Sequence, residues 1–143
     1  EPSMSFTRLP PLHDSARPSL DEFAEIADAA YARLPRMFRD MCGDVVMRVM
    51  DWPDEETLQA MDIDSRYGLL GLYQGVSLDR KSTLDAQGLP DMVFLYRRPI
   101  LQYAAEEGDS PHDVITHVLV HEIGHHFGLS DDDMERIENA AGQ

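Results

Sequence analysis

The chain has 143 residues, 43% apolar and 27% charged, which fits one globular domain with a single core rather than a disordered segment. Its 27 acidic and 12 basic side chains give a formal net charge of −15, which argues against nucleic acid and anionic membrane surfaces, since both need a basic face. No apolar run approaches the roughly 18 residues a membrane span requires, and the start of the chain has no apolar stretch like that of a secretory signal.

Residues 1–18, "EPSMSFTRLPPLHDSARP", are polar and punctuated by proline, and read as a flexible leader to a single domain over 19–143. Ser19 and Glu22 then stand at capping-box spacing, and Leu20, Phe23, Ala24, Ala27, Ala30, Tyr31 and Leu34 recur at helical intervals. They predict a helix that Pro35 perturbs or ends. Cys42 is the only cysteine, so no intrachain disulfide can form; it reads as a small core residue, and the usage favours a reducing cytoplasm. "DVVMRVMDW" predicts a strand near 45–50, "PDEETLQAMD" a short helix or turn opened by Pro53, and "YGLLGLYQGVS" a second strand near 69–76. The glycines of that strand suggest a bend or a close backbone neighbour. A polar connection, "LDRKSTLDAQGLPD", leads to a third strand, "MVFLYR", and then to a short helix with Pro99 at its start and Gly108 past its end.

The last third of the chain carries the chemistry. Ser110 can cap a helix, Pro111 suits its first position, Asp113 stands where a capping-box acid belongs, and Gly128 supplies a left-handed stop. With 100 degrees of rotation per residue, Val118, His121 and His125 fall within about 40 degrees of Val114, and Glu122 lies on the flank of that face. Leu119, Val120, Ile123 and Phe127 cover the far side, so the helix reads as apolar nearly all round and buried. Two imidazoles and a carboxylate on such a helix need partners. Histidines at i and i+4 can each point a ring nitrogen at one tetrahedral zinc, and the intervening glutamate can take the proton of an attacking water. Gly124 permits close backbone approach, and Asp131, beyond the Gly128 bend, is where a returning chain can offer a third ligand. The rival role for Asp131 is at the start of the next helix, "SDDDMERIENA", with Ser130 as cap; Asp132 and Glu135 are its substitutes as ligand.

The pattern His121-Glu122-x-x-His125-x-x-Gly128-x-x-Asp131 is similar to the extended motif of the zincin metallopeptidases in the variant with aspartate as third ligand. More narrowly, "GLYQG", "YRRPIL" and "HEIGHHFGLSDDDM" resemble the small bacterial minimal zincins, over roughly residues 20–140. The resemblance implies one zinc ion held by His121, His125 and Asp131, with Glu122 as general base, in a minimal zincin-like α+β fold. In that fold a small mixed sheet of about three strands packs on the active-site helix and further helices. Only 12 residues follow Asp131, so the downstream methionine-bearing turn of larger metzincins is missing or replaced, and Met134 is too close to be its equivalent.

The function implied is a zinc-dependent peptidase that hydrolyses peptide bonds with a metal-activated water, acting on a peptide or an unfolded protein segment. Two rivals stay open: a non-catalytic zinc-binding interaction module, and a zinc hydrolase of a non-peptide amide. "MVFLYR" reads either as an edge strand that pairs with an extended peptide or as an ordinary core strand. Tyr96, Arg97 and Tyr103 are candidates for oxyanion stabilisation with equally good structural roles. His126 reads as a core histidine on the Ile115 and Leu119 side, His117 as a partner of Asp113 or solvent, and His13 and His112 as surface residues.

Overall fold

A computed structural model describes residues 17–75 and 90–142. Its elements are α1 (Leu20–Ala32), α2 (Arg36–Cys42), β1 (Val46–Met50), α3 (Glu55–Ala60), a 3-10 turn (Arg66–Gly68), β2 (Gly71–Gln74), β3 (Met92–Tyr96), α4 (Arg97–Glu107), α5 (Pro111–His126) and α6 (Asp131–Ala141). Among the described residues, six α-helices and a three-stranded mixed sheet give a small α+β fold, as the sequence implied.

α1 begins where its cap predicts. The Glu22 N–H donates to Ser19 Oγ at 3.1 Å, and the Ser19 N–H donates to Glu22 Oε1 at 2.7 Å, so both halves of the capping box are made. The helix buries Phe23, Ala27 and Ala30 along one stripe and stops at Ala32. Pro35 does more than end it. Its fixed φ and missing N–H suit the start of a second helix, α2, which buries Phe38 and Cys42 and which the sequence reading did not contain. α3 starts at Glu55, two residues after Pro53, with the Asp54 side chain accepting the Thr57 N–H at 2.7 Å. α4 starts at Arg97, directly from β3, so Pro99 sits inside its first turn, where no intrahelical donor is lost.

The strand order is β1-β3-β2. β1 runs parallel to β3, with Val46 opposite Met92 and Met50 opposite Tyr96. β2 runs antiparallel to it, with Gly71 opposite Leu95 and Gln74 opposite Met92. "MVFLYR" is therefore the centre of the sheet, hydrogen-bonded on both sides, and has no open edge to offer a peptide. Its residues Val93, Leu95 and Tyr96 are buried, as suits a central strand. The edge strand beside α5 is β2. The polar connection between β2 and β3 lies largely outside the described residues, as do Val76 of the expected second strand and residues 1–16 of the expected leader, His13 among them.

α5 runs through the core, packed against α1, α4, α6, β2 and β3. Val114, Ile115, Val118, Leu119, Val120 and Ile123 are buried, so the helix is enclosed on all but its last turn and the stripe that carries Asp113, His117 and His121. The glycine expected to meet a close neighbour is Gly71. A Cβ there would stand 2.5 Å from Val118 Cγ1 and 2.9 Å from the Phe94 carbonyl oxygen, which sets how tightly β2 lies on α5.

Candidate metal centre

Both ends of α5 are fixed by local chemistry. At its start the Asp113 N–H donates to Ser110 Oγ at 3.0 Å, with Pro111 at the first position. At its end Gly128 adopts φ 75°. The Leu129 N–H reaches the Gly124 carbonyl at 2.9 Å and the Gly128 N–H reaches the His125 carbonyl at 3.1 Å, the paired bonds of a Schellman stop. The chain reverses at once into α6, whose first turn is capped by Ser130 Oγ accepting the Asp133 N–H at 3.1 Å. α6 then packs on α5, with the wholly buried Met134 lying against Gly124.

This hairpin presents three histidines on successive turns of α5. The rings of His117 and His121 are 4.1 Å apart at 33°, and those of His121 and His125 are 5.8 Å apart at 82°. Glu138 reaches across from α6. Its carboxylate lies 2.9 and 3.1 Å from His117 Nδ1, and its Oε1 lies 3.5 Å from His121 Nε2. Among the described residues, one atom each from His117, His121 and Glu138 lie within 4.8 Å of one another, close enough to share one ion; His125 and Asp131 are not drawn into that group. Asp131 is the first residue of α6 and is exposed.

Burial and charge act on the two central groups in opposite directions. Burial lowers the His121 pKa, and the neighbouring His117 adds to this against the pull of Glu138; the neutral imidazole, the form that binds metals, is favoured. Burial raises the Glu122 carboxyl pKa above its ordinary value, opposed by a hydrogen bond from the Tyr73 main chain and by nearby His125. The Glu122 carboxylate thus lies where α5 meets the edge strand β2. The alternation of the antiparallel ladder explains why Tyr73 is available: the Tyr96 N–H donates to the Leu70 carbonyl at 3.0 Å, so Leu70 and Leu72 face β3 while Gly71 and Tyr73 direct their main-chain groups outward.

Several flanking residues differ from expectation. His117 does not pair with Asp113, because the returning α6 brings Glu138 to it. His126 is not a core histidine: its side chain is 39% exposed, and the ring stacks on Tyr73 at 4.0 Å with Nε2 3.9 Å from Asp91. The last turn of α5 runs beyond the core to the side of β2, where Tyr73 meets it and donates its hydroxyl to Asp91 at 2.8 Å. His112 is partly exposed, with Nδ1 3.7 Å from Asp113. Of the oxyanion candidates, Arg97 is buried and committed, donating to Asp51 Oδ1 and to the Pro18 carbonyl, each at 2.7 Å. Tyr96 is buried with Leu58 and Leu69. Tyr103 lines an open groove of about 990 Å³ that includes His117 and Glu138 but not His121, Glu122 or His125.

Glu138 is the residue that sequence reasoning missed. Its signal was the hairpin itself: once Met134 is placed on Gly124, the residue one turn later on α6 meets α5 toward His121 and His117. Imidazoles flanked by carboxylates, with the neutral ring favoured, fit a borderline-soft divalent ion such as zinc. The sequence profile of the zincin-like metallopeptidases matches residues 42–141, a stretch that contains each of these groups. No curated protein matches the chain.

Proposed function

The chain belongs to the zincin-like metallopeptidase family, and from that premise we propose that it is a zinc-dependent peptidase whose centre is built on His121, Glu122, His125 and Asp131. The observation that carries the reading is Glu122 itself: a carboxylate set between two histidines one turn apart, near the end of a helix whose apolar faces are buried, with a pKa pushed upward by burial. A base with a raised pKa suits proton transfer near neutral pH. When bound, zinc lowers the pKa of a water ligand to about 7 and polarises a carbonyl.

The chain's own groups supply the rest. His121 and His125 hold the ion from α5, and Asp131 closes the set from α6. The Ser130 hydroxyl performs the helix cap, which leaves no capping duty for the Asp131 carboxylate. Glu122 takes the proton from the attacking water and passes it to the leaving amine. Substrate is an extended peptide or unfolded segment laid along β2, where the outward Tyr73 carbonyl can pair with it irrespective of its sequence while the Tyr73 N–H serves Glu122.

The test is cleavage of a broad peptide library by the zinc-loaded chain, with Glu122→Gln beside it. The variant is expected to bind zinc as wild type does and to lose about 10²–10⁴-fold in cleavage. A fully loaded wild type that cleaves no peptide would return the protein to the binding-module reading, and cleavage of small amides alone would establish the non-peptide hydrolase.

A further inference from the structure

We propose that His117, His121 and Glu138 form a second divalent-cation site, one that shares His121 with the catalytic centre and so holds an ion away from it. The donor spacing carries this. Ligand atoms about 2.0–2.1 Å from a tetrahedral zinc stand about 3.3–3.4 Å from one another. Glu138 Oε1 lies 3.1 Å from His117 Nδ1 and 3.5 Å from His121 Nε2, which bracket that value, and one donor atom from each of the three residues lies within 4.8 Å of the other two. All three donors are partly exposed, at 50%, 30% and 30% of their side chains, and the open groove that His117 and Glu138 line gives an ion a way in. A net charge of −15 draws cations toward it. Two imidazoles and one carboxylate select zinc or a neighbouring transition metal over calcium or magnesium.

The two sites exclude each other through one atom. His121 Nε2 is the nitrogen aimed at Glu138. A ligand histidine uses its other nitrogen for a supporting hydrogen bond, so Nε2 serves one ion at a time. An ion among His117, His121 and Glu138 is also without a base: the residue after His117 is the buried Val118, where the catalytic pair has Glu122. Such an ion is catalytically idle. The existence of the site does not depend on the peptidase reading; its effect on turnover does.

Zinc binding to the full chain, measured by equilibrium dialysis with elemental analysis, separates the two. His125→Ala is expected to retain one zinc per chain, and His125→Ala/Glu138→Gln to bind it about 100-fold more weakly. His117→Gln/His125→Ala repeats the measurement with a more exposed side chain should the first pair misfold. Glu138→Gln alone is expected to keep one zinc at the catalytic centre and to cleave peptide, per bound zinc, about twofold faster or more, as the idle population is released. Equal zinc affinity in His125→Ala and both double variants would overturn the site. Unchanged or slower cleavage by Glu138→Gln would overturn the exclusion. If wild type cleaves nothing, the peptidase reading fails while a zinc retained by His125→Ala still supports the site.

Discussion

The Met134 thioether lies so close to Gly124 that a Cβ on the glycine would stand 2.6 Å from Sδ and 2.8 Å from Cγ. Met134 has no exposed surface, so it cannot swing aside without disturbing its neighbours. Gly124→Ala is therefore expected to destabilise by about 1–3 kcal/mol from overpacking, offset in part by the higher helix propensity of alanine, about 1 kcal/mol. Met134→Ala is expected to cost about 2–5 kcal/mol. In the double variant the two losses should add to less than their sum, because the methyl of one fills space left by the other. Denaturant unfolding of all four chains measures this, and full additivity would refute the contact.

Metal should be visible as stability. Zinc at 100 times its dissociation constant is expected to add about 2.7 kcal/mol, and a chelator to remove it. His121→Ala should abolish the zinc-dependent rise in Tm, since it strips a ligand from both proposed positions. A shift that survives in this variant would place the ion elsewhere.

Alkaline pH should weaken the fold through Tyr31. Burial, reinforced by Cys42 beside it, pushes its phenol from 10.0 up to about 12. Between those values the unfolded chain has released this proton and the folded chain still holds it. Stability is then intact below pH 10 and falls as the pH rises toward 12. Tyr73, raised by burial and by Asp91, acts in the same direction. Tyr31→Phe should flatten part of the decline in urea-unfolding free energy over this window, and an unchanged slope would exclude Tyr31 as a contributor.

The Arg97 guanidinium joins the start of α4 to Asp51 after β1 and to the Pro18 carbonyl before α1. Asp51 is 45% exposed at its side chain and Arg97 only 8%, so removing the acid leaves a nearly enclosed cation with one partner fewer. Asp51→Ala is expected to cost about 1–3 kcal/mol, read by chemical denaturation, with zinc affinity unaltered. A loss of zinc binding in that variant would mean the pair supports the metal centre from a distance.

What the sequence disclosed and what it withheld follow a physical line. Ser19, Ser110, Gly128 and Ser130 work within a turn of themselves, and each marks a helix end where the chain has one. The run of apolar residues on α5 likewise foretold the burial of Leu119, Val120 and Ile123, but not that Phe127, past the helix end, is 39% exposed. α2 was hidden because its N-cap, Pro35, makes no side-chain hydrogen bond and so leaves no capping signature. The central place of Met92–Tyr96 was hidden because strand order depends on partners 46 residues away in β1, not on the strand's own composition. His126 was misread for the same reason: Tyr73 and Asp91, which receive it, belong to other segments. The family resemblance reached the right fold because its motif spans the hairpin from His121 to Asp131, but it was silent on Glu138, which lies past the motif's end.

The last helix is more than a tail. Met134 seals the flank of α5 at Gly124, Glu138 steers two histidines, and the Ala141 carbonyl accepts from Arg33 Nε at 3.3 Å, tying the helix to the end of α1. Deleting or crowding this segment would strip away wall, guide and fastening together.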